Sequence, residues 1–271
     1  MTAERAALEG DLDVGSLRAV VLVGGKGTRL RPYTATFPKP LVPLGDRPIL
    51  EILVGRLLRS GIRDIVLAIG HLGELVQAYF SHRPDLLAQM DLTYVHEDEP
   101  LGTAGALGLI PDLDDTFIAM NGDVLTNLDY CALVDYHRER EAILTIAMQT
   151  KAVQVELGVI KQVEGFVNDY VEKPLLDYHV SMGIYVYERR ALDYLPPGPC
   201  QFPDLVLRLI AGNERVAAYL TEADWFDIGT IEEYERASKA IAIAPERFGM
   251  SATGTANGPA MLNHRRLQRL A

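Results

Sequence analysis

Residues 18–32 read RAVVLVGGKGTRLRP, an apolar run from Arg18 to Val23 that breaks into Gly24 and Gly25. A short run rich in β-branched residues and closed by glycine is the pattern of a strand buried on both faces of a parallel sheet. The glycines that follow allow a sharp turn and let backbone N–H groups approach an anion. A simple tight turn would look the same, so the loop was tested against two better-defined ones. A P-loop needs Gly-x4-Gly-Lys-Ser/Thr, which is absent. A dinucleotide fingerprint beginning at Gly25 and Gly27 would need a third glycine where Leu30 stands. The next strand also ends in Gly70-His71, with no acid to hold a ribose. A nicotinamide dehydrogenase is therefore disfavoured.

Outward from this stretch, a Pro- and Thr-rich loop runs to Pro48, and Ile49, Ile52, Leu53 and Leu57 then recur at helical spacing up to Gly61. Ile65–Ile69, Leu92–Val95 and Thr116–Met120 read as further strands, and Glu74–Phe80 as a short helix. In the second half, segments 142–148, 156–163 and 180–187 read as strands with less helix between them. Segments 203–210 and 231–240 read as helices. Alternation first and clustered strands later predict an α/β fold: a three-layer α/β/α sandwich on a mixed, mainly parallel sheet, with an added strand region. The expected boundaries are a loose extension over 1–16, one domain over 17–244 and a tail over 245–271, in which Leu262–Leu270 reads as a short basic helix.

The bulk properties narrow the function. A chain of 271 residues with 48% hydrophobic and 23% charged residues is ordinary for a globular protein. A net charge of -11 argues against general affinity for nucleic acid or anionic membrane. Two cysteines, Cys131 and Cys200, make no disulfide framework and suit a reduced, cytoplasmic setting. No apolar run approaches the ~18 residues of a membrane span, and the acidic N-terminus lacks a signal-peptide core. The six histidines show no zinc-ligand spacing.

The longer stretch GGKGTRLRPYTATFPKPLVPLGDRPIL, residues 24–50, resembles the signature of sugar-1-phosphate nucleotidylyltransferases. It lies closest to GDP-mannose pyrophosphorylases and the related heptose-phosphate guanylyltransferases. Four later segments resemble the same family in the same order: Glu97–Gly105, Asn121-Gly122-Asp123, Val171-Glu172-Lys173-Pro174 and Asp227-Ile228-Gly229-Thr230. The resemblance implies a Rossmann-like nucleotidyltransferase fold that joins a nucleoside triphosphate to a sugar 1-phosphate and releases pyrophosphate. It places Gly24, Gly25, Gly27, Thr28, Glu97, Gly102 and Thr103 on the nucleotide, and Arg29 and Lys39 on the triphosphate. Lys173 falls on the sugar phosphate, Gly158, Glu172 and Ser181 beside the sugar, and Asp123 and Asp227 on Mg²⁺. The charge chemistry is consistent with these roles, because several phosphates in one cleft need fixed cations and donors.

Glu97, with Glu99 as the second candidate, is the expected reader of guanine, whose N1–H and N2 amino group offer adjacent donors to a carboxylate. GTP is accordingly the expected nucleotide, with UTP, dTTP, CTP or ATP as the alternatives. Val180-Ser181-Met182-Gly183 departs from the Asn-Ala-Gly or Asn-Thr-Gly of many relatives, so sugar specificity is not carried over. A silent regulatory paralogue is the rival of a different class, disfavoured because the glycine loop and both Asp residues are intact. Assembly as a homo-oligomer is left open.

Overall fold

The computed structural model describes residues 17–250 apart from 26, 28, 29, 31–33, 35 and 36. The expectations for Thr28 and Arg29, and for the segments 1–16 and 251–271, lie outside the described residues.

In chain order the strands are β1 (Arg18–Leu22), β2 (Pro43–Leu44), β3 (Arg47–Pro48), β4 (Asp64–Ile69), β5 (Asp91–His96), β6 (Thr116–Asn121), β7 (Val124–Thr126), β8 (Leu144–Gln154), β9 (Val159–Val163), β10 (Phe166–Val171), β11 (Leu175–Glu188), β12 (Val216–Leu220) and β13 (Trp225–Asp227). The helices are α1 (Ile49–Arg59), α2 (Gly73–Ser81), α3 (Pro84–Leu87), α4 (Gly102–Gly105), α5 (Tyr130–Glu139), α6 (Phe202–Ala211) and α7 (Ile231–Ile243). One sheet runs in the order β12-β8-β11-β6-β1-β4-β5. β1 pairs in parallel with β4 and β6, β4 with β5, and β8 with β12. β11 runs against both of its neighbours, β6 and β8. The mixed, mainly parallel sheet is thus as predicted, with β11 as the reversed strand.

Alternation along each strand supplies both faces of the sandwich. Ala19, Val21 and Val23 join Ile65, Leu67 and Ile118 in a core under α1, α2 and α5, whereas Val20, Val66, Phe117 and Tyr187 face the core under α6. A third cluster joins Leu30, Val42 and Leu44 to Leu125, Ile228, Ile241, Phe248 and Met250. It packs the β2–β3 hairpin and α7 against the sheet's end. Phe248 and Met250 are buried in it, so the packed body continues past the expected boundary at residue 244.

Several elements were not read from the sequence, among them α5, β7, β12 and β13. α5 buries Tyr130, Leu133, Val134 and His137 at helical spacing, and Asp129 caps it by accepting from the Ala132 N–H at 3.1 Å. Its polar, acidic remainder hid that stripe. β8 and β11 also continue beyond the seven-stranded sheet, pairing Gln149–Gln154 with Leu175–Val180, and carry the β9–β10 hairpin as a projecting arm. This arm is the added strand region. Its side chains are mostly exposed, from Val153 to Tyr178.

Candidate active site

A cleft of ≈ 280 Å³ opens at the C-terminal ends of β1 and β6, lined among others by Gly24, Gly25, Lys39, Glu97, Asp123 and Gln201. Ligands of open α/β sheets bind at this end of the strands. Gly24 and Glu97 approach closely: a Cβ at Gly24 would fall 2.6 Å from Glu97 Oε1, so a larger residue would displace that carboxylate. Gly27 stands behind the cleft, its carbonyl accepting from Thr34 Oγ1 at 2.6 Å.

The phosphate end is built from residues far apart in sequence. Lys39 opens a short 3-10 turn bounded by prolines, Pro38 and Pro40, and is buried. Its ammonium pairs with Asp123 Oδ2. Asp123 Oδ1 is buried and has no hydrogen-bond partner among the described residues. β13 pairs antiparallel with β7, setting Asp227 opposite Val124, and the Ile228 N–H donates to the Asp123 carbonyl at 3.1 Å. Two carboxylates separated by a hundred positions in the chain are thereby placed on neighbouring strand ends. Asp227 does not line the ≈ 280 Å³ cleft but a second one of ≈ 530 Å³, with Trp225, Thr230 and residues 149–152 of β8. No group of three or more His, Cys, Asp or Glu residues suited to a metal occurs among the described residues. A divalent ion here would therefore rest on the two aspartates and on ligands brought by substrate. Mg²⁺ accepts that arrangement, and the orphaned Asp123 oxygen fits it.

The opposite end of the cleft is the loop after β5. Glu97 is half-buried, and its Oε2 accepts from the Leu101 N–H at 3.1 Å. Gly102 has φ +77°, and a Cβ there would lie 2.6 Å from the Cys200 carbonyl oxygen and 2.7 Å from Gln201 Nε2. Its glycine is thus explained by the packing of segment 200–201 against this loop, a contact the sequence did not disclose. Thr103 Oγ1 accepts from the Phe202 N–H at 3.0 Å and so caps α6 from a distant loop.

The residues expected beside the sugar and its phosphate divide. Gly158 packs under the Tyr170 hydroxyl, which donates to Glu172 Oε2 at 3.0 Å. Lys173 follows with φ +44°, its carbonyl accepting from Gln154 Nε2 at 2.6 Å. Gly158, Glu172 and Lys173 therefore gather on the arm and do not line the ≈ 280 Å³ cleft. Ser181 connects to the centre instead. Its hydroxyl donates to Tyr185 Oη at 3.3 Å and accepts from the Gly183 N–H at 3.2 Å. Burial pushes the Tyr185 phenol above its ordinary pKa; the hydrogen bond from Ser181 opposes this, and the nearby Asp123 charge adds to it.

Asn121, Tyr185 and Gln201 were not assigned from sequence. Asn121 stood within a quoted motif, whereas Tyr185 and Gln201 carried no local signal.

Comparison with known proteins agrees with this geometry. The nucleotidyl transferase family profile matches residues 18–243. A mannose-1-phosphate guanylyltransferase of Mycobacterium tuberculosis is 33% identical over 259 residues, covering 91% of this chain and 68% of its own. A UTP–glucose-1-phosphate uridylyltransferase of Synechocystis is also 33% identical, over 83% of this chain and 63% of its own length. The chain thus spans slightly under two thirds of that relative. The crystal structure of HddC from Yersinia pseudotuberculosis complexed with GMP-PN superposes with a TM-score of 0.63 at 27% identity, covering 83% of this chain and 99% of that one.

Proposed function

This chain belongs to the nucleotidyl transferase family, and we propose that it joins a nucleoside triphosphate, GTP by preference, to a sugar 1-phosphate with release of pyrophosphate. The observation that carries this reading is the Lys39–Asp123 pair with its unpartnered Asp123 oxygen, set beside the Gly24–Gly25 turn. That end of the cleft offers a buried cation and a carboxylate oxygen without a protein partner.

The attacking group is a phosphate oxygen of the sugar 1-phosphate, already ionised at neutral pH. It forms a bond to the α-phosphorus of the nucleotide while the bond from that phosphorus to the bridging oxygen breaks, and pyrophosphate leaves. No proton has to be removed from the attacker, so a general base is not needed. Catalysis then consists of alignment and charge neutralisation. Lys39 carries three donors, enough to keep Asp123 and still reach a phosphate oxygen. Asp123 and Asp227 would hold Mg²⁺, which supplies positive charge against the phosphates when bound. On the arm, Lys173 would meet the sugar phosphate and Glu172 the sugar hydroxyls, with Gly158 and Ser181 beside them.

Glu97 faces Gly24 with a carboxylate that can accept from guanine N1–H and N2–H. The named guanylyltransferase relative and the GMP-PN complex of HddC favour that base. The Synechocystis relative favours a second reading with UTP. The two unpaired thiols suit a cytoplasmic setting, and no described helix is long and apolar enough to cross a membrane.

Pyrophosphate release measured across a matrix of nucleotides and sugar 1-phosphates tests the proposal. GTP should exceed UTP and dTTP by about tenfold or more in kcat/KM, a difference of about 1.4 kcal/mol. A preference for UTP would remove the guanine reading, and silence with every pair would remove the transfer itself.

A further inference from the structure

We infer that Gln201 is a base-reading residue, donating from its side-chain amide to the O6 carbonyl of a bound guanine. The inference rests on the guanylyl reading above.

Gln201 is the N-cap residue of α6, yet its side chain makes no capping bond to its own helix. A short Ser, Thr, Asp or Asn side chain at that position normally satisfies one of the helix's free N–H groups, a task to which the longer glutamine is not suited. Here the task falls to Thr103, whose hydroxyl accepts from the Phe202 N–H at 3.0 Å. Gln201 is exposed on the wall of the ≈ 280 Å³ cleft, and its amide makes no hydrogen bond to another described residue.

Its platform is well fixed. The Cys200 N–H donates to the Leu101 carbonyl at 2.8 Å, and the Cys200 carbonyl accepts from Ala104 and Gly105 at 3.1 and 3.0 Å. With the Thr103 bond, these lash segment 200–202 to the loop that carries Glu97 and Gly102. The absence of a side chain at Gly102 admits the Gln201 amide, since a Cβ there would stand 2.7 Å from Nε2.

Chemical complementarity selects the ligand group. Glu97 supplies acceptors only, which suit guanine N1–H and N2–H. The next atom on the same edge of guanine is O6, which needs a donor. A primary amide has two N–H donors; of the residues lining this end, Gly24, Pro100, Gly102 and Ala106 have no side-chain donor, which leaves the Thr103 hydroxyl and the Gln201 amide. A base whose carbonyl is missing would leave the amide unpaired, which is the basis of strong discrimination.

The test is equilibrium binding by calorimetry of GTP, inosine triphosphate and 6-thioguanosine triphosphate to the wild type, Gln201→Ala and Gln201→Glu. The thio analogue keeps N1–H and the N2 amino group but carries sulfur, a poor acceptor, in place of O6, and the inosine analogue keeps O6 but lacks the N2 amino group. The wild type should bind GTP at least about tenfold more tightly than the O6-less analogue. Gln201→Ala should bind those two alike while keeping the wild-type ratio of GTP to inosine triphosphate. Gln201→Glu, which replaces the donor by an acceptor, should bind GTP more weakly than the alanine variant does. A Gln201→Ala protein that retains the wild-type ratio between GTP and the O6-less analogue would overturn the inference. Equal weakening of all three nucleotides would overturn it too, by showing that the residue acts on the shape of the loop. Binding in the expected pattern without pyrophosphate release would refute the proposed transfer and leave the role of Gln201 standing.

Discussion

Replacing Asp123 by Asn separates the metal role proposed for this residue from its structural one. Two opposing changes are expected in the unliganded protein. The ion pair with Lys39 becomes a hydrogen bond to a neutral amide, losing part of the ~1.5–3 kcal/mol typical of a bond to a charged group. The side chains of that pair are 10% and 23% exposed, so solvent screens some of the loss. In the other direction, the buried and unpartnered oxygen of a charged group gives way to a neutral amide NH2, whose unpartnered burial costs about 1–3 kcal/mol, less than that of a charge. The sum should lie within about 1 kcal/mol, leaving the fold intact. Mg²⁺ binding should behave differently. At an ion concentration ten times Kd, the wild type gains about 1.4 kcal/mol, or about 3–5 °C in Tm for a chain of this size. The variant should show no such rise. Turnover should fall about 10²–10³-fold, corresponding to the several kcal/mol that a metal contributes to stabilising transition-state charge. Differential scanning fluorimetry with and without Mg²⁺, together with pyrophosphate release, reads all three quantities. A variant with the wild-type Mg²⁺ shift and a rate within a few-fold of normal would show that Asp123 is not a metal ligand.

Gly102→Ala should cost at least about 1–2 kcal/mol, because φ is +77° and the new Cβ meets the Cys200 backbone oxygen rather than a movable side chain. Urea unfolding measures the loss, and the KM for nucleotide should rise as segment 200–202 separates from the base loop; an unchanged midpoint and KM would contradict this packing. His137, buried between Thr145 Oγ1 at 2.8 Å and Glu188 Oε1 at 3.1 Å, predicts a pH dependence of stability. Burial lowers the imidazole pKa below 6.5, against the raising effect of Glu188. The unfolded chain therefore binds a proton that the native state resists, so the His137 contribution is fully present above 6.5 and is lost on acidification through the window below it. In urea titrations across that range, His137→Gln should flatten the slope of unfolding free energy against pH. A slope identical to that of the wild type would place the dependence elsewhere.

Local pattern determined much of this protein by itself. The run Arg18–Val23 closing on Gly24 and Gly25 specified a buried parallel strand and a ligand turn, because strand length, β-branching and glycine act within a few residues. The 3.6-residue spacing from Ile49 to Leu57 specified α1 for the same reason. The motifs around Lys39, Glu97 and Asp123 were legible through resemblance, and the structure gathers them in one cleft. Tertiary structure alone decided what these residues touch. The β7–β13 register sets Asp227 beside Asp123, while Lys39 reaches Asp123 across the sheet's end. The purpose of Gly102 became visible only with Cys200 and Gln201 packed against it, and Thr103 proved to cap a helix nearly a hundred residues away. A backbone preference is a property of a short segment and is written there. Ion pairs, trans caps and close approaches are distances between segments, set by how strands order in the sheet and how loops pack above it.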